Sequence, residues 1–276
     1  MNKNLSIGVF DSGMGGLTVL RALRHELPDE SFIYLGDTAR LPYGTKSKDT
    51  VKAYAMQMAQ VLMQRQIKAL VIACNTATTA ALDYLQANFG DIPVIGVVRP
   101  GAAAAAAATR NQRIAVLATE TTIASHAYQD LIRHHLPQVL IHSRACSVLV
   151  ALAEEGMIDN AIVRETLQHY LSGLTTEDTI LLGCTHFPIF KPTLRKMLPE
   201  EVHLVDSAEA TAALLRQELL AKGLELTNPK KPGRIQYLVT DSVQRFQTMG
   251  EFFLQEPIQK SEIELVDASA INRILL

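Results

Sequence analysis

Short apolar runs alternate along the chain with longer segments of helical spacing. Runs of four or five apolar residues are typical of strands that are buried on both faces of a parallel sheet. In the first part of the chain they predict strands at Ser6–Phe10, Phe32–Leu35, Ala69–Ala73 and Val94–Val98. The segments between them predict helices from near Leu17, over Lys48–Arg65 and from Thr76 towards Phe89. This alternation predicts an α/β fold in which helices cover a parallel sheet.

A second set of similar runs follows. It predicts strands at Arg113–Leu117, Thr179–Gly183 and Val202–Val205, with a helix around Ser125–Arg133 and an alanine-rich helix over Ala102–Ala108. Ile114 follows Ile7 by 107 positions and Cys184 follows Cys74 by 110, so the second set has nearly the spacing of the first. A last strand at Ile235–Val239 is expected to complete the first unit, to which the chain returns. We therefore predict two similar parallel-sheet α/β domains that face each other across a central cleft. The first comprises residues 1–98 and 208–276, the second residues 99–207, and the active site lies between them.

Composition narrows the choice of partners and compartment. The net charge of the 276 residues is -2, aromatic residues make up 5% and Trp is missing, so neither nucleic acid nor an anionic membrane surface is an expected partner. No apolar stretch is long enough for a signal peptide or a membrane span. Three cysteines without short spacing indicate reduced thiols in a cytoplasmic protein. Lys230 and Lys231, between two prolines, indicate a surface loop.

The candidate chemistry lies at the ends of two predicted strands. Cys74 and Cys184 each follow a strand, in the sequences Cys-Asn-Thr and Cys-Thr-His. Ligands of open α/β sheets bind at the carboxyl ends of the strands, so facing domains would bring the two thiols to opposite walls of one cleft. A helix begins after Cys74, with Asn75 or Thr76 as the expected N-cap. Two thiols that flank a carbon could remove a proton from one face and return one to the other, which is two-base racemisation.

Other interpretations stay open on these residues alone. A buried cysteine is often only a small apolar side chain, which is the preferred reading of Cys146. Cys184 and His186 could also form a nucleophilic pair in a hydrolase or an amide transferase, and the chain could bind an amino acid without turnover. The glycine-rich turn after Asp11 lacks dinucleotide-binding spacing, and no metal-ligand set is evident.

Four segments resemble the glutamate racemases, whose wider family includes aspartate racemases. They are Gly8–Leu17 with its Asp-Ser-Gly-Met-Gly-Gly sequence, Pro42-Tyr43-Gly44, Ala73–Ala77 and Gly183–Pro188. The resemblance runs from about Ile7 to about Asp206. One departure is Cys146-Ser147, where the family often has Cys-Pro.

The resemblance implies an amino-acid racemase, an isomerase without cofactor or metal that interconverts L- and D-glutamate for peptidoglycan synthesis. It also leads us to expect a homodimer. The implied acid/base and assisting residues are Cys74, Cys184, Asp11, Glu154 and His186. The implied substrate contacts are Asp11, Ser12, Pro42, Tyr43, Gly44, Cys74, Asn75, Thr76, Thr119, Thr122, Thr185 and His186.

Overall fold

Two parallel sheets organise the computed structural model, which describes residues 2–226 and 233–267. The described strands are β1 (Ile7–Asp11), β2 (Phe32–Gly36), β3 (Ala69–Ile72), β4 (Val94–Gly96), β5 (Arg113–Ala118), β6 (Leu140–Ala145), β7 (Thr179–Gly183), β8 (His203–Val205), β9 (Ile235–Val239) and β10 (Ile263–Leu265). One sheet has the order β10-β9-β2-β1-β3-β4 and the other has the order β6-β5-β7-β8. Every strand pair is parallel, as the alternating pattern predicts.

Helices connect the strands and cover the sheets. They are α1 (Leu17–Glu26), α2 (Lys48–Gln64), α3 (Asn75–Asn88), α4 (Val98–Ala108), α5 (Glu120–Ala124), α6 (Ala127–His135), α7 (Val148–Glu154), α8 (Ala161–Leu171), α9 (Lys191–Met197), α10 (Ala208–Ala221) and α11 (Val243–Leu254). Single 3-10 turns occur at Tyr43–Thr45, Phe187–Phe190 and Lys260–Glu262. Parallel strands require such crossover connections.

The two sheets repeat one topology. The order β2-β1-β3-β4 of the first sheet corresponds to β6-β5-β7-β8 of the second. In both sheets, the first strand in chain order lies between the second and the third, and the fourth lies at an edge. The equivalent of β3 is therefore β7, so the residues that follow these two strands, Cys74 and Cys184, occupy matching positions. Strands β9 and β10 extend the first sheet beside β2.

A continuous apolar core joins the two sheets. It includes Val9 and Val71 of the first sheet, Val116 and Leu181 of the second, and residues of the helices between them. The alanine-rich helix α4 contributes Ala102 and Ala105, whose small side chains let neighbouring elements approach. A separate cluster under α2 and α3 covers the other face of the first sheet. The core thus holds both sets of strand ends in a fixed relation.

The structure differs from the sequence prediction in two elements of the second sheet. Strand β6 was not predicted, because the sequence Leu-Ile-His-Ser-Arg-Ala has little apolar character and the strand lies at a largely exposed edge. The short helix α5 was also not predicted, whereas the helix expected around Ser125–Arg133 is present as α6, which begins after His126 in the left-handed conformation at φ 58°. Lys230 and Lys231 lie outside the described residues. Within the described ranges no helix is long and apolar enough to cross a membrane.

Candidate active site

Polar residues collect where the central strands of both sheets end. Asp11 is the last residue of β1, and Cys74 follows β3 closely. In the second sheet Thr119 follows β5 and Cys184 follows β7. Because β1 and β3 are neighbours in one sheet, as are β5 and β7 in the other, each sheet brings two of these positions together.

Cys74 is itself the N-cap of α3, so the expectation of Asn75 or Thr76 as the cap is wrong. Its Sγ accepts a hydrogen bond from the Ala77 N–H at 3.4 Å and lies 3.6 Å from the Ser12 Oγ. The thiol is buried, with 6% of its surface exposed. Burial, followed by the nearby Asp11 charge, raises the pKa of Cys74 to about 12. Cys74 is therefore a protonated thiol near neutral pH, and the charge of Cys184 is among the further causes of the shift.

Cys184 belongs to a chain of three ionisable side chains. Its Sγ lies 3.8 Å from Nδ1 of His186, and Nε2 of His186 lies 3.0 Å from Oε1 of Glu154. All three side chains are buried. Burial alone lowers the pKa of His186, but the hydrogen bonds to Cys184 and Glu154 outweigh it and raise the pKa to about 10. The ring is thus an imidazolium near neutral pH, and this cation lies beside the Cys184 sulfur.

Asp11 links the two sheets. Its Oδ2 accepts a hydrogen bond from the Gly13 N–H at 2.9 Å, and its Oδ1 accepts one from the Thr185 hydroxyl at 3.3 Å. Complete burial raises the pKa of Asp11, and the charge of His186 offsets only part of that rise. Gly15 lets the turn after Asp11 pack closely against the second sheet's loop, because a Cβ at Gly15 would lie 2.4 Å from Nδ1 of His186. The glycine-rich turn therefore serves close packing of the two sheets' loops.

Three threonine hydroxyls form a second link. The Oγ1 atoms of Thr76, Thr119 and Thr122 lie 2.9 to 3.2 Å from one another. Thr76 stands on α3, whereas Thr119 and Thr122 stand at the start of α5. Gly44 packs against them, since a Cβ at Gly44 would lie 2.6 Å from the Thr119 Cβ. The group offers several O–H donors to an anion in a buried setting.

The loop residues Pro42 and Tyr43 are arranged differently from the rest. Pro42 is exposed, and the buried Tyr43 directs its hydroxyl to Asp37, which also pairs with Arg40. The Tyr43 hydroxyl is thus bonded to Asp37, while Tyr43 itself lies in the same buried cluster as Cys74. Ser12, Asn75 and Thr185 are buried beside the cysteines, as the strand-end positions predict.

Several residues that contact the site were not identified from the sequence. Phe253 of α11 packs its ring edge-to-face against His186, with centroids 5.3 Å apart. Arg245 of the same helix donates to the main-chain oxygen of Glu154 and to the Glu155 carboxylate, both at 3.0 Å. Tyr128 of α6 donates to Oδ1 of Asn75 at 2.6 Å. They stand in segments without a motif, and only the tertiary fold brings them here.

Two surface depressions lie near the site without containing the cysteines. One, of about 430 Å³, lies between the Thr45–Lys48 segment and α5. The larger one, of about 1100 Å³, runs along α3, β4 and α4. In the part of the chain that the structure describes, no group of three or more His, Cys, Asp or Glu side chains could hold a metal ion. The buried polar contacts therefore define the cysteine site.

Known proteins resemble this chain in sequence and in fold over most of their length. The family model described as Asp/Glu/Hydantoin racemase matches residues 12–215. A glutamate racemase of Geobacter metallireducens is 48% identical over 252 residues, which cover 90% of this chain and 92% of that protein. The crystal structure of glutamate racemase isoform RacE1 from Bacillus anthracis superposes with a TM-score of 0.90 at 39% identity, covering 96% of this chain and 98% of that chain. A Francisella tularensis glutamate racemase solved with D-glutamate gives a TM-score of 0.89 at 37% identity, with coverage of 97% and 99%.

The fold and the similarity to glutamate racemases over most of the chain are those of an amino-acid racemase, a class of isomerase. This chain belongs to the Asp/Glu/hydantoin racemase family.

Proposed function

We propose that the protein is a glutamate racemase that interconverts L- and D-glutamate without a cofactor, by proton transfer between Cys74 and Cys184. The observation that carries the proposal is the equivalence of the two thiols. Each follows the third strand of its sheet, each is buried, and polar contacts through Ser12, Asp11 and Thr185 connect their surroundings. Glutamate as the substrate is supported by the names of the relatives, including the Francisella tularensis protein with bound D-glutamate.

Two-base racemisation requires one thiolate and one thiol at the start of each turnover. We assign the thiol to Cys74, because its raised pKa keeps it protonated, and the thiolate to Cys184, whose sulfur lies beside the His186 imidazolium that Glu154 holds. The Cys184 thiolate takes the α-proton of one enantiomer, and the Cys74 thiol delivers its proton to the opposite face of the carbanion. The product enantiomer leaves the charges exchanged, with the thiolate now at Cys74. Asp11 and His186 assist proton transfer beside Cys74 and Cys184, respectively.

The α-hydrogen of an amino acid is a very weak acid, so the carbanion-like transition state needs fixed donors and little water. We assign substrate binding to the donors that surround the cysteines. The threonine group of Thr76, Thr119 and Thr122 offers hydroxyls to a carboxylate, and Asn75 offers a buried amide. Ser12, Thr185 and the Pro42-Tyr43-Gly44 turn complete the proposed set.

The wider setting follows from the same proposal. Domains of residues 1–98 with 208–276 and of residues 99–207 enclose the substrate between them. The protein acts in the cytoplasm, supplies D-glutamate for peptidoglycan and forms a homodimer.

A direct test is chiral chromatography of glutamate after incubation with the purified, reduced protein, dialysed against EDTA and without added cofactor. We expect L- and D-glutamate to reach the same equal mixture. Aspartate under the same conditions is the matched control for substrate choice. Racemisation of aspartate but not glutamate would contradict the substrate assignment, and racemisation of neither by folded protein would leave an amino-acid-binding module.

A further inference from the structure

The buried side-chain amide of Asn75 is hydrogen-bonded at its oxygen but not at its nitrogen. Its side chain is 3% exposed, and Oδ1 accepts the Tyr128 hydroxyl at 2.6 Å. The Nδ2 atom is buried and has no hydrogen-bond partner among the described residues. An unpaired buried N–H group destabilises a fold, so such a donor is expected where a ligand supplies the acceptor. Asn75 directly follows Cys74, which puts this donor next to the proposed acid/base pair.

Tyr128 connects the surroundings of both cysteines. Its hydroxyl bonds to Asn75, the residue after Cys74, while its ring packs on Gly183, the residue before Cys184. The ring fits because Gly183 lacks a side chain, since a Cβ there would lie 2.8 Å from the Tyr128 Cε2. The ring belongs to the continuous core and is fully buried, so its position is fixed by packing. The hydroxyl therefore reaches Asn75 from a rigid platform on the opposite sheet's helix α6.

The chemistry of the contact determines the direction of the amide. Burial raises the pKa of Tyr128, and the charge of Cys184 raises it further, so the hydroxyl keeps its proton and can donate. A donated O–H holds Oδ1 towards Tyr128 and leaves both N–H groups of Nδ2 for the other side. If the amide turned over, its oxygen would face an anionic substrate, which electrostatic repulsion disfavours.

We propose that Tyr128 is a positioning residue for substrate recognition, which orients the Asn75 amide so that Nδ2 donates to a carboxylate of the amino-acid substrate. The inference rests on the proposed racemase function. It adds to that function a residue that takes no part in the proton transfer itself. Tyr128 acts through Asn75 and touches no reacting atom.

The test compares Tyr128→Phe with the wild type in steady-state racemisation of L- and D-glutamate. The phenylalanine ring keeps the packing on Gly183 and removes only the hydroxyl. We expect KM to rise about tenfold for both enantiomers, the loss expected for one buried hydrogen bond, with kcat changed much less. A purely structural role would reduce the active fraction and therefore kcat while KM stayed constant. Tyr237→Phe, a buried tyrosine of β9, is the matched control, and its KM should equal that of the wild type.

A double-mutant cycle identifies the path of the effect. In an Asn75→Ala background, Tyr128→Phe should cause no further rise in KM if Tyr128 acts through Asn75. A wild-type KM in Tyr128→Phe, or a second tenfold rise in the Asn75→Ala background, would overturn the proposal. Absence of racemisation by the wild type would instead refute the proposed function, so the two failures are distinguishable.

If Tyr128→Phe fails to fold, the unmodified protein still provides a test. The side-chain amide signals of Asn75 can be assigned in the ¹⁵N-labelled protein by their loss in Asn75→Asp. Titration with D-glutamate should shift these signals, because Nδ2 gains its acceptor. Unchanged signals at saturating D-glutamate would overturn the proposal.

Discussion

The three cysteines look alike in the sequence, but their surroundings in the fold differ. The chain has three buried free cysteines, and only their surroundings separate them. Burial raises the pKa of both Cys74 and Cys146 to about 12, whereas Cys184 lies beside the His186 imidazolium. The proposed division of labour between the thiols therefore comes from neighbours that the fold supplies.

This asymmetry predicts the order of alkylation. At pH 7 iodoacetamide should modify Cys184 at least about tenfold faster than Cys74, because the thiolate is the nucleophile. Peptide mapping by mass spectrometry over time measures both rates in one sample, and Cys146 serves as the internal control for slow reaction. Saturating D-glutamate should protect Cys184. Faster modification of Cys74 would contradict the assigned resting state.

The raised pKa of His186 predicts how stability depends on pH. The folded value of about 10 exceeds the ordinary value of 6.5, so the folded protein binds the proton more tightly. This contribution is fully present below pH 6.5 and is lost as the pH rises towards 10, with a slope of at most about 1.4 kcal/mol per pH unit. Urea unfolding between pH 6.5 and 9 should show a steeper loss in the wild type than in His186→Gln. The exposed His134→Gln should keep the wild-type slope, and equal slopes in all three proteins would refute the ion-pair account.

At the scale of elements, the sequence predicted most of what positions the site. The central residues of β1, β3, β5 and β7 form apolar runs, so their pattern was sufficient. The matched spacing of Cys74 and Cys184 indicated the repeated topology. Strand β6 escaped prediction because an exposed edge strand needs no apolar run. The sequence did not indicate that helix α11 contributes to the site. Its residues Arg245 and Phe253 contact Glu154 and His186, which lie about 90 and 67 positions away in the chain. Local sequence patterns carry no information about such distant pairs.

A buried ion pair anchors β3, the strand that precedes Cys74. Lys68, the residue before β3, is fully buried, pairs with Glu30 and donates to the main-chain oxygens of Lys3 and Leu224 at 2.7 and 2.9 Å. Lys68→Met should lower the free energy of unfolding by about 3–5 kcal/mol, because it leaves the Glu30 carboxylate buried without its partner. Urea denaturation measures this loss.

The matched double variant separates charge from packing. Lys68→Met with Glu30→Gln should recover part of the stability, and kcat per folded molecule should stay near the wild-type value in both variants. A single variant as stable as the wild type would show that the pair does not anchor β3.

At the scale of the whole molecule, contacts between the two sheets' loops close over the cysteines. Asp11 bonds to Thr185, Thr76 to Thr119, and Tyr128 to Asn75. At the outer side of these contacts, the Thr121 hydroxyl lies within hydrogen-bond distance of the main-chain oxygens of Gly44 and Lys46, at 2.9 and 3.0 Å. The contacts that we propose to bind substrate thus also hold the two units together, which would keep water from the carbanion.

Thr121 provides a test of this closure. Thr121→Val has nearly the same shape and removes the hydroxyl, so the Tyr43–Thr45 turn loses its link to α5. We expect a rise in KM for glutamate of about three- to tenfold and faster amide hydrogen exchange in residues 43–47 with substrate bound. Thr166→Val, at a half-buried threonine of α8, is the control. Unchanged KM and unchanged exchange in Thr121→Val would show that this contact does not contribute to closure.

The central claim is that Cys74 and Cys184 exchange the α-proton on opposite faces of glutamate. The most direct measurement is a proton NMR time course of L-glutamate and, separately, D-glutamate in deuterated buffer, with optical rotation followed in parallel. The wild type should remove the α-proton signal of both enantiomers while the rotation decays to zero from both sides. Cys74→Ser and Cys184→Ser should each fold and each lose racemisation. Near-normal decay of the optical rotation in either variant would contradict the two-base account.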